Sequence, residues 1–263
     1  MGTILKHELK ANFKTFLIWC LSVSFMSFMC ILMFTSVKES MVDMAESFAS
    51  MGAFSNAFGM DKLSIATLAG FYATEVGTIH GLGGAMFAAI ISACMLSKEE
   101  DGHTSEFLFS QPVSRGKVIT AKLFSVFMNI IIFNTVSVAI YVLAIVILGE
   151  EMPMKEFFIF HLMQMVMQLE IGAVCFGISA FMKRNRFGIG LGIVLMLYAY
   201  DLMARIIPDL EDFKAISPFS YANASDIFSG EKPPAIALII GVIVLTVGVL
   251  MSYIVYQKRD LAT

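Results

Sequence analysis

The sequence predicts an all-α integral membrane protein with six transmembrane helices, and three observations carry that expectation. Of 263 residues, 58% are hydrophobic and 15% charged, with a mean hydropathy of +0.80, against roughly 45–50% and 25% in an average soluble domain. The apolar residues fall in uninterrupted blocks of about twenty or more, the length that crosses a hydrocarbon layer about 30 Å thick. The blocks also lack the alternation of membrane barrel strands, and a helix is the other lipid-exposed form that satisfies its own backbone polar groups. An ordinary soluble enzyme is excluded, and a net charge of −3 gives no reason for a nucleic-acid partner. Cys20, Cys30, Cys94 and Cys175 lie inside apolar blocks without CxxC spacing, as small buried side chains do.

The spans read as residues 16–37, 76–96, 123–148, 157–182, 187–207 and 235–256. Before the first, Leu5, Leu9, Phe13 and Phe16 recur at helical spacing while Lys6, Lys10 and Lys14 form a separate stripe. This pattern predicts an amphipathic helix over residues 1–15, lying along the membrane surface. The block 16–37 exceeds the roughly 7–15 residues of a signal-peptide core and no small-x-small site follows it, so it reads as an uncleaved span. Glu75, His80, Gly77, Gly81, Gly83 and Gly84 blur the start of the second span, leaving its boundary free to move by a turn; Glu75 and His80 read as interfacial.

Basic residues in short loops are retained on the cytoplasmic side. Lys6, Lys10, Lys14, Lys98, Arg115, Lys117, Lys122, Lys183, Arg184, Arg186, Lys258 and Arg259 lie on one side of the predicted topology. Lys38, Lys62, Lys155, Lys214, Lys232 and Arg205 lie on the other, so twelve against six sets both termini in the cytoplasm. The outer loops are acidic instead. Subtracting spans leaves no soluble portion of about 50 residues that could fold alone, so residues 1–263 form a single transmembrane domain. The outer loop 38–75 should hold short helices, and the second, 208–234, is rich in turn formers. Asn223-Ala224-Ser225 within it fits a glycosylation acceptor.

The inner loop 97–122 carries an acidic cluster, a glycine, a short amphipathic segment over 104–110, a proline break and a basic stretch entering the third span. Its residues describe a short helix across the cytoplasmic face, fitted either to a partner's groove or to lipid headgroups. Glu100-Asp101-Gly102-His103-Thr104-Ser105-Glu106-Phe107-Leu108, followed by Gln111-Pro112-Val113-Ser114-Arg115 and Lys122, resembles the E-x-G-T-x-E-x-L-L-S-x-P-V-S-R…K stretch between spans two and three of type-2 ABC transporter permeases. Lys6-His7-Glu8-Leu9-Lys10, Ala57-Phe58-Gly59-Met60 with Gly70-Phe71, Ser217-Pro218-Phe219 and Tyr256-Gln257-Lys258-Arg259-Asp260-Leu261 are similar to the same family, so the resemblance covers nearly the whole chain. His103 departs from the pattern, since the family usually runs directly from glycine to threonine; the helix that follows is expected to remain intact.

The resemblance implies a permease subunit of an ATP-driven exporter in a prokaryotic plasma membrane. It implies a second permease chain, identical or related, and two cytosolic ABC ATPase subunits that hold ATP and magnesium, with no cofactor or metal on this chain. Glu100, Asp101, Gly102, Thr104, Glu106, Phe107, Leu108, Pro112 and Arg115 would then form the element coupled to the ATPases. The sequence agrees by what it lacks: Gly116-Lys117 has Gln111 where a P-loop needs its first glycine and Val118 where it needs Ser or Thr. The chain itself is therefore expected not to be an enzyme.

Ionisable and polar groups inside spans are costly, so each needs a partner or a task. Glu170, Gln164 and Gln168 of the fourth span and Asn129 and Asn134 of the third either line a translocation path or pair as buried packing, with Glu170 bonded to Asn129 or Asn134. Asp201 and Arg205 are four apart and suit an ion pair along the fifth span. Other classes compete. An ion-gradient-driven transporter or channel would call for inverted repeats. An intramembrane metalloprotease of the EExxxR type meets Thr104 where arginine is required after Glu99-Glu100. The twenty methionines suit Cu(I) by chemistry but are dispersed, as packing residues are. Amphipathic peptides, antibiotics, lipids and ions all remain open as substrates.

Overall fold

The computed structural model describes residues 1–110 and 112–259, apart from the side chains of residues 106, 107 and 109. Among the described residues there is no strand. Six helical stretches among the described residues are long and apolar enough to cross a membrane, and each overlaps one of the expected spans, with those at 76–96, 157–182 and 187–207 ending one to three residues earlier than expected. They are α1 (Gly2–Ala49), the joined pieces from Leu68 to Ala93, α7 (Arg115–Leu148), α8 (Met154–Ser179), α9 (Phe187–Ile206) and α12 (Ala235–Lys258). Shorter helices are α2 (Ala53–Phe58), α5 (Lys98–Asp101), α6 (Ser105–Ser110), α10 (Pro208–Glu211) and α11 (Ala224–Phe228).

α1 is one unbroken helix of 48 residues, roughly 72 Å long at 1.5 Å per residue. The amphipathic stretch 1–15 continues straight into the first span, and the same rod runs on through Met41, Met44 and Phe48. Neither glycine nor proline occurs between Gly2 and Gly52, so nothing in the chain breaks the helix at either membrane surface.

The second span begins at Leu68, eight residues before Val76. It comprises α3 (Leu68–Phe71), a π-helical turn (Tyr72–Val76) and α4 (Gly77–Ala93). The wider turn resets the helical register. Tyr72 is thereby fully buried while Glu75 stays exposed, which lets a carboxylate sit within an otherwise apolar stretch. Thr67 caps the start of α3, its side chain accepting from Gly70 N at 3.1 Å.

α8 is the central helix and packs against α4, α7, α11 and α12. Its crossing with α12 is set by small residues: a Cβ on Gly177 would lie 2.6 Å from Gly248 O, and one on Gly248 would lie 2.7 Å from Ala173 O. Without a hydrophobic drive between helices in lipid, such backbone contact is what holds them together. α1 and α7 pack along their lengths, joined by Ser24 Oγ and Ser137 Oγ at 2.9 Å and by Lys38 Nζ donating to Glu150 Oε1 at 2.7 Å. The outward faces are apolar. On α12, Ile236, Ile239, Val242, Ile243, Val247, Leu250 and Ile254 are each more than half exposed, as are Leu21, Phe25 and Met26 on α1. Such continuous apolar surface belongs in a bilayer.

The segment after α10 departs from the expected surface loop. Residues 217–225, 227 and 228 are buried, and Ile227 and Phe228 pack against Tyr72 and Phe160. This turn-rich stretch plugs one end of the bundle rather than covering it.

The α8/α12 crossing gives a direct test. Gly248→Leu forces a side chain into backbone atoms that have no rotamer by which to yield, and should cost about 1–3 kcal/mol. Thermal denaturation of the detergent-solubilised protein should show a lower transition than Gly192→Leu, where a Cβ meets nothing within 4 Å.

Candidate functional site

The residues 97–122 that join the second and third spans lie at the end of the bundle that also holds the start of α1 and the end of α12. Lys122, near the start of α7, is wholly buried, and so is Glu8 of α1. A buried ammonium must be surrounded by acceptors. Lys122 donates to Met95 O at 2.7 Å and to Glu99, and Glu8 Oε1 lies 3.2 Å away. Glu8 is also paired with Lys98. Beside this cluster Glu100, itself buried, accepts from Arg259 Nη2 at 2.8 Å, while Arg259 Nη1 donates to Ala180 O at 2.7 Å. Arg115 Nη1 donates to Arg259 O at 2.6 Å and to Gln257 O at 3.1 Å, closing the end of α12 onto the start of α7.

The backbone between α5 and α6 turns on a left-handed residue. His103 has φ +51°, the one non-glycine positive φ among the described residues. Thr104 N donates to Glu99 O at 2.8 Å and His103 N to Glu100 O at 3.2 Å. This pair of bonds is the Schellman helix stop, in which glycine usually takes the left-handed position. Here Gly102 closes α5 at φ −87° and His103 takes the strained position after it. The residue that departs from the family pattern is therefore the one that makes the turn, and α6 begins intact at Ser105. Ser114 caps α7 with its side chain toward Lys117 N.

The sequence-predicted coupling residues divide into two groups. Glu100 is buried and Arg115 half-buried, both engaged with the chain's own ends; Asp101, Gly102, Thr104 and Pro112 are exposed, and Leu108 is half-buried. Glu106 and Phe107 belong to α6 by backbone, but their side chains lie outside the described residues, as does Gln111. The exposed group forms the outer skin of a loop whose base is ionic and dry.

Inside the bundle, Glu170, Gln164, Gln168, Asn129 and Asn134 are all buried. Glu170 does not meet Asn129 or Asn134: its Oε2 accepts from Tyr221 OH at 2.7 Å, beside Gly241 of α12. Residues two apart on a helix point about 200° apart, so Glu170 faces α12 while Gln168 faces α4 and α7. Asn134 Nδ2 donates to Gln168 Oε1 at 2.7 Å, and Asn129 Nδ2 to Ser125 O at 2.8 Å. The glycines that blur the second span have a use here: Gly81 and Gly84 make room for the Gln164 and Gln168 amides.

His80, expected at the interface, is fully buried. Asn134 spends both amide hydrogens on Gln168 and Ile130 O, so its Oδ1 faces His80 Nε2 at 3.2 Å as an acceptor. His80 therefore donates from Nε2, and neutral Nδ1 accepts from Tyr141 OH at 3.0 Å. His161 pairs with Tyr72 OH at 2.7 Å, and its ring centroid lies 4.9 Å from that of His80. These interactions form an internal polar seam joining α4, α7 and α8.

At the opposite end Gln164 Nε2 donates to Ala222 O at 2.8 Å, holding the plug, and Ser225 Oγ donates to Phe58 O at 3.1 Å. The Asn223 side chain is buried and accepts from Asp226 N at 3.0 Å, capping α11. That bond uses Oδ1; it is the burial of the side chain that shields the Nδ2 on which the glycosylation reading depends. Lys62 bonds Asp226 and Glu231, both at 2.8 Å. Partial burial lowers the Lys62 pKa, but these two carboxylates outweigh it and hold it above the ordinary lysine value. Its contribution is complete below that ordinary value and fades only as pH rises through the elevated one, so the strap is intact at neutral pH. Asp201 and Arg205 form the expected pair, with Arg205 Nε 2.9 Å from Asp201 Oδ2 and Asp201 buried.

Sequence reasoning did not bring Glu8, Lys98, Glu99, Lys122 and Arg259 together. The available signal was their position, charges at the margins of apolar blocks where each needs a partner. It likewise missed the plug, whose signal was the aromatic residues Phe219, Tyr221 and Phe228 among turn formers.

Six apolar helices, an internal polar seam and an ion-paired loop beside the start of α1 and the end of α12 define a multi-pass membrane protein. The chain matches the family described as ABC-2 family transporter protein over residues 2–261. It belongs to that family, and is thus the membrane subunit of an ABC transporter rather than its ATPase, working with an ABC ATPase subunit. No curated protein matches the chain.

Lys122→Met would strand Glu99 and leave Glu8 with Lys98 alone, and should cost about 3–5 kcal/mol, read as a large fall in the thermal transition in detergent. Lys14→Met, at an exposed position, should change it by less than about 0.5 kcal/mol. His103→Gly relieves the left-handed strain and should stabilise the turn by about 1 kcal/mol, seen as slower amide exchange over residues 97–105.

Proposed function

We propose that this chain is the membrane-spanning half of an ATP-driven exporter in a prokaryotic plasma membrane, with both termini cytoplasmic. The observation that supports it best is the loop 97–114: an exposed skin of Asp101, Gly102, Thr104 and Pro112 on a buried ionic base, built from the stretch that resembles the family's coupling element. A surface that must transmit force needs such a base, because a loose loop would absorb a push by bending. The excess of Lys and Arg on this side agrees with a cytoplasmic location.

Two ATPase subunits, holding ATP and magnesium, would close against two permease chains, identical or related. Each closure would press α6, and the span bundles would rearrange to release substrate outward. The apolar outer faces and the scarcity of charge inside the bundle favour amphipathic substrates such as peptides, antibiotics or lipids, taken from the inner leaflet.

The test is to purify the chain with its ATPase partner and measure ATP hydrolysis in lipid vesicles. Leu108→Pro breaks α6 while leaving the six spans in place. Hydrolysis should then lose its dependence on the permease by at least tenfold, with helical content by circular dichroism unchanged. Full permease-dependent hydrolysis in that variant would refute the role of α6.

A further inference from the structure

We propose that Glu8 and Arg259 are positioning residues that divide the movement of the 97–122 loop between two helices, Glu8 passing it to α1 and Arg259 to α12. This rests on the coupling role proposed above and assigns how the movement leaves the loop.

The stretches that resemble the family at the chain's two ends, in the loop and at the start of α7 meet at this one place. Glu8 comes from the first, Glu100 from the loop, Lys122 from the start of α7 and Arg259 from the last; Lys98 and Glu99 of the same loop complete the cluster. Three carboxylates, Glu8, Glu99 and Glu100, are matched by three cations, Lys98, Lys122 and Arg259. The side chains of Glu8, Glu100 and Lys122 are at most 2% exposed, and that of Arg259 is 9% exposed. Buried charges cannot part from their partners without losing both solvent and counterion, so a displaced loop drags its partners with it.

The pairs also fall into two branches. Glu99 and Lys98 lead through Lys122 and Glu8 to α1; Glu100 leads through Arg259 to the end of α12. Along most of its length α12 is held by small contacts, its buried residues there being Ala237, Gly241, Gly248 and Ser252, while at this end Tyr256 is buried in the core and Tyr253 OH lies 2.7 Å from Thr120 Oγ1. The small contacts fix how close it lies to α8 but offer little purchase against sliding. Its ionic link to the loop at this end is Arg259, whose second nitrogen holds Ala180 O, next to the Arg115 bonds to its last carbonyls. Glu99 and Glu100 each also keep one buried oxygen, Oε2 and Oε1, with no hydrogen-bond partner. A cation in the cluster can thus change acceptor as the loop shifts without passing through an unpaired state.

The experiment uses the permease–ATPase assembly in lipid vesicles, with the four native cysteines replaced by alanine and one new cysteine carrying an environment-sensitive fluorophore. The label sits on α1 at Leu21→Cys or on α12 at Leu250→Cys, both lipid-facing. With the parent chain, ATP and magnesium should shift the emission at both positions. Arg259→Gln should abolish at least four-fifths of the shift on α12 and spare α1, whereas Glu8→Gln should do the reverse; Arg259→Lys, which keeps the charge, should respond as the parent does. A merely structural role would lower both signals together. Equal responses of the two labels in both variants, or no shift in the assembled parent, would overturn the inference. If Arg259→Gln does not assemble, the same labels in Arg259→Lys and Glu8→Gln decide it: loss confined to α1 in the latter supports the division, and loss at both positions overturns it. Failure of the parent chain to hold any ATPase would instead refute the exporter reading itself.

Discussion

Lys122 is closed off from solvent, and much of the bundle's terminal end follows from that. An ammonium at the first turns of a membrane helix needs acceptors on every side. The chain supplies a carbonyl from the end of the second span, one carboxylate from the loop and one from α1. Bringing Glu99 there fixes α5, and fixing α5 sets the turn at His103 and the direction in which α6 leaves. The loop's geometry is thus imposed from beneath, by charge satisfaction, more than by the packing of its own few side chains. A neighbouring pair, Glu100 with Arg259, ties down the residue that follows α12 in the same way.

The interior obeys the same rule with neutral groups. Glycines on α4 open space for the glutamines of α8, and those glutamines complete the bonds of Asn134 and of the plug carbonyl Ala222. Where α8 turns its other face, glycine again serves, this time so that α12 approaches until backbone meets backbone. Small residues therefore do two jobs around α8: on α4 they admit its polar side chains, and at the crossing with α12 they exclude side chains altogether.

The six spans and the short helix over residues 105–110 were legible in the sequence because block length and local amphipathic spacing are properties of a single line of residues. What was not legible depends on depth and rotation between helices. Glu170 and Gln168 look equivalent in the sequence, yet opposite faces of α8 give them different neighbours, so Glu170 finds Tyr221 rather than an asparagine. His80 was assigned to the interface because its flanking glycines resemble a frayed helix start; the π turn upstream moves that start outward and buries it. The lysine stripe before the first span pointed to a surface helix, while the absence of any helix breaker, equally visible, decided that α1 is continuous. The plug was hidden by its turn-forming residues, which here serve to fold a chain into the bundle rather than over it.

The continuity of α1 has a mechanical meaning. A rod of roughly 72 Å with no hinge cannot bend at the membrane surface; it can only tilt, rotate or slide as a whole. A tilt of about 10° would displace its two ends relative to each other by roughly 12 Å across the membrane. Glu8 lies near one end of this rod and the Lys38 to Glu150 pair near the other. A lever of this kind carries a signal between the two sides of a bilayer without any chain of rearranging contacts between them, because the geometry of the helix is itself the connection.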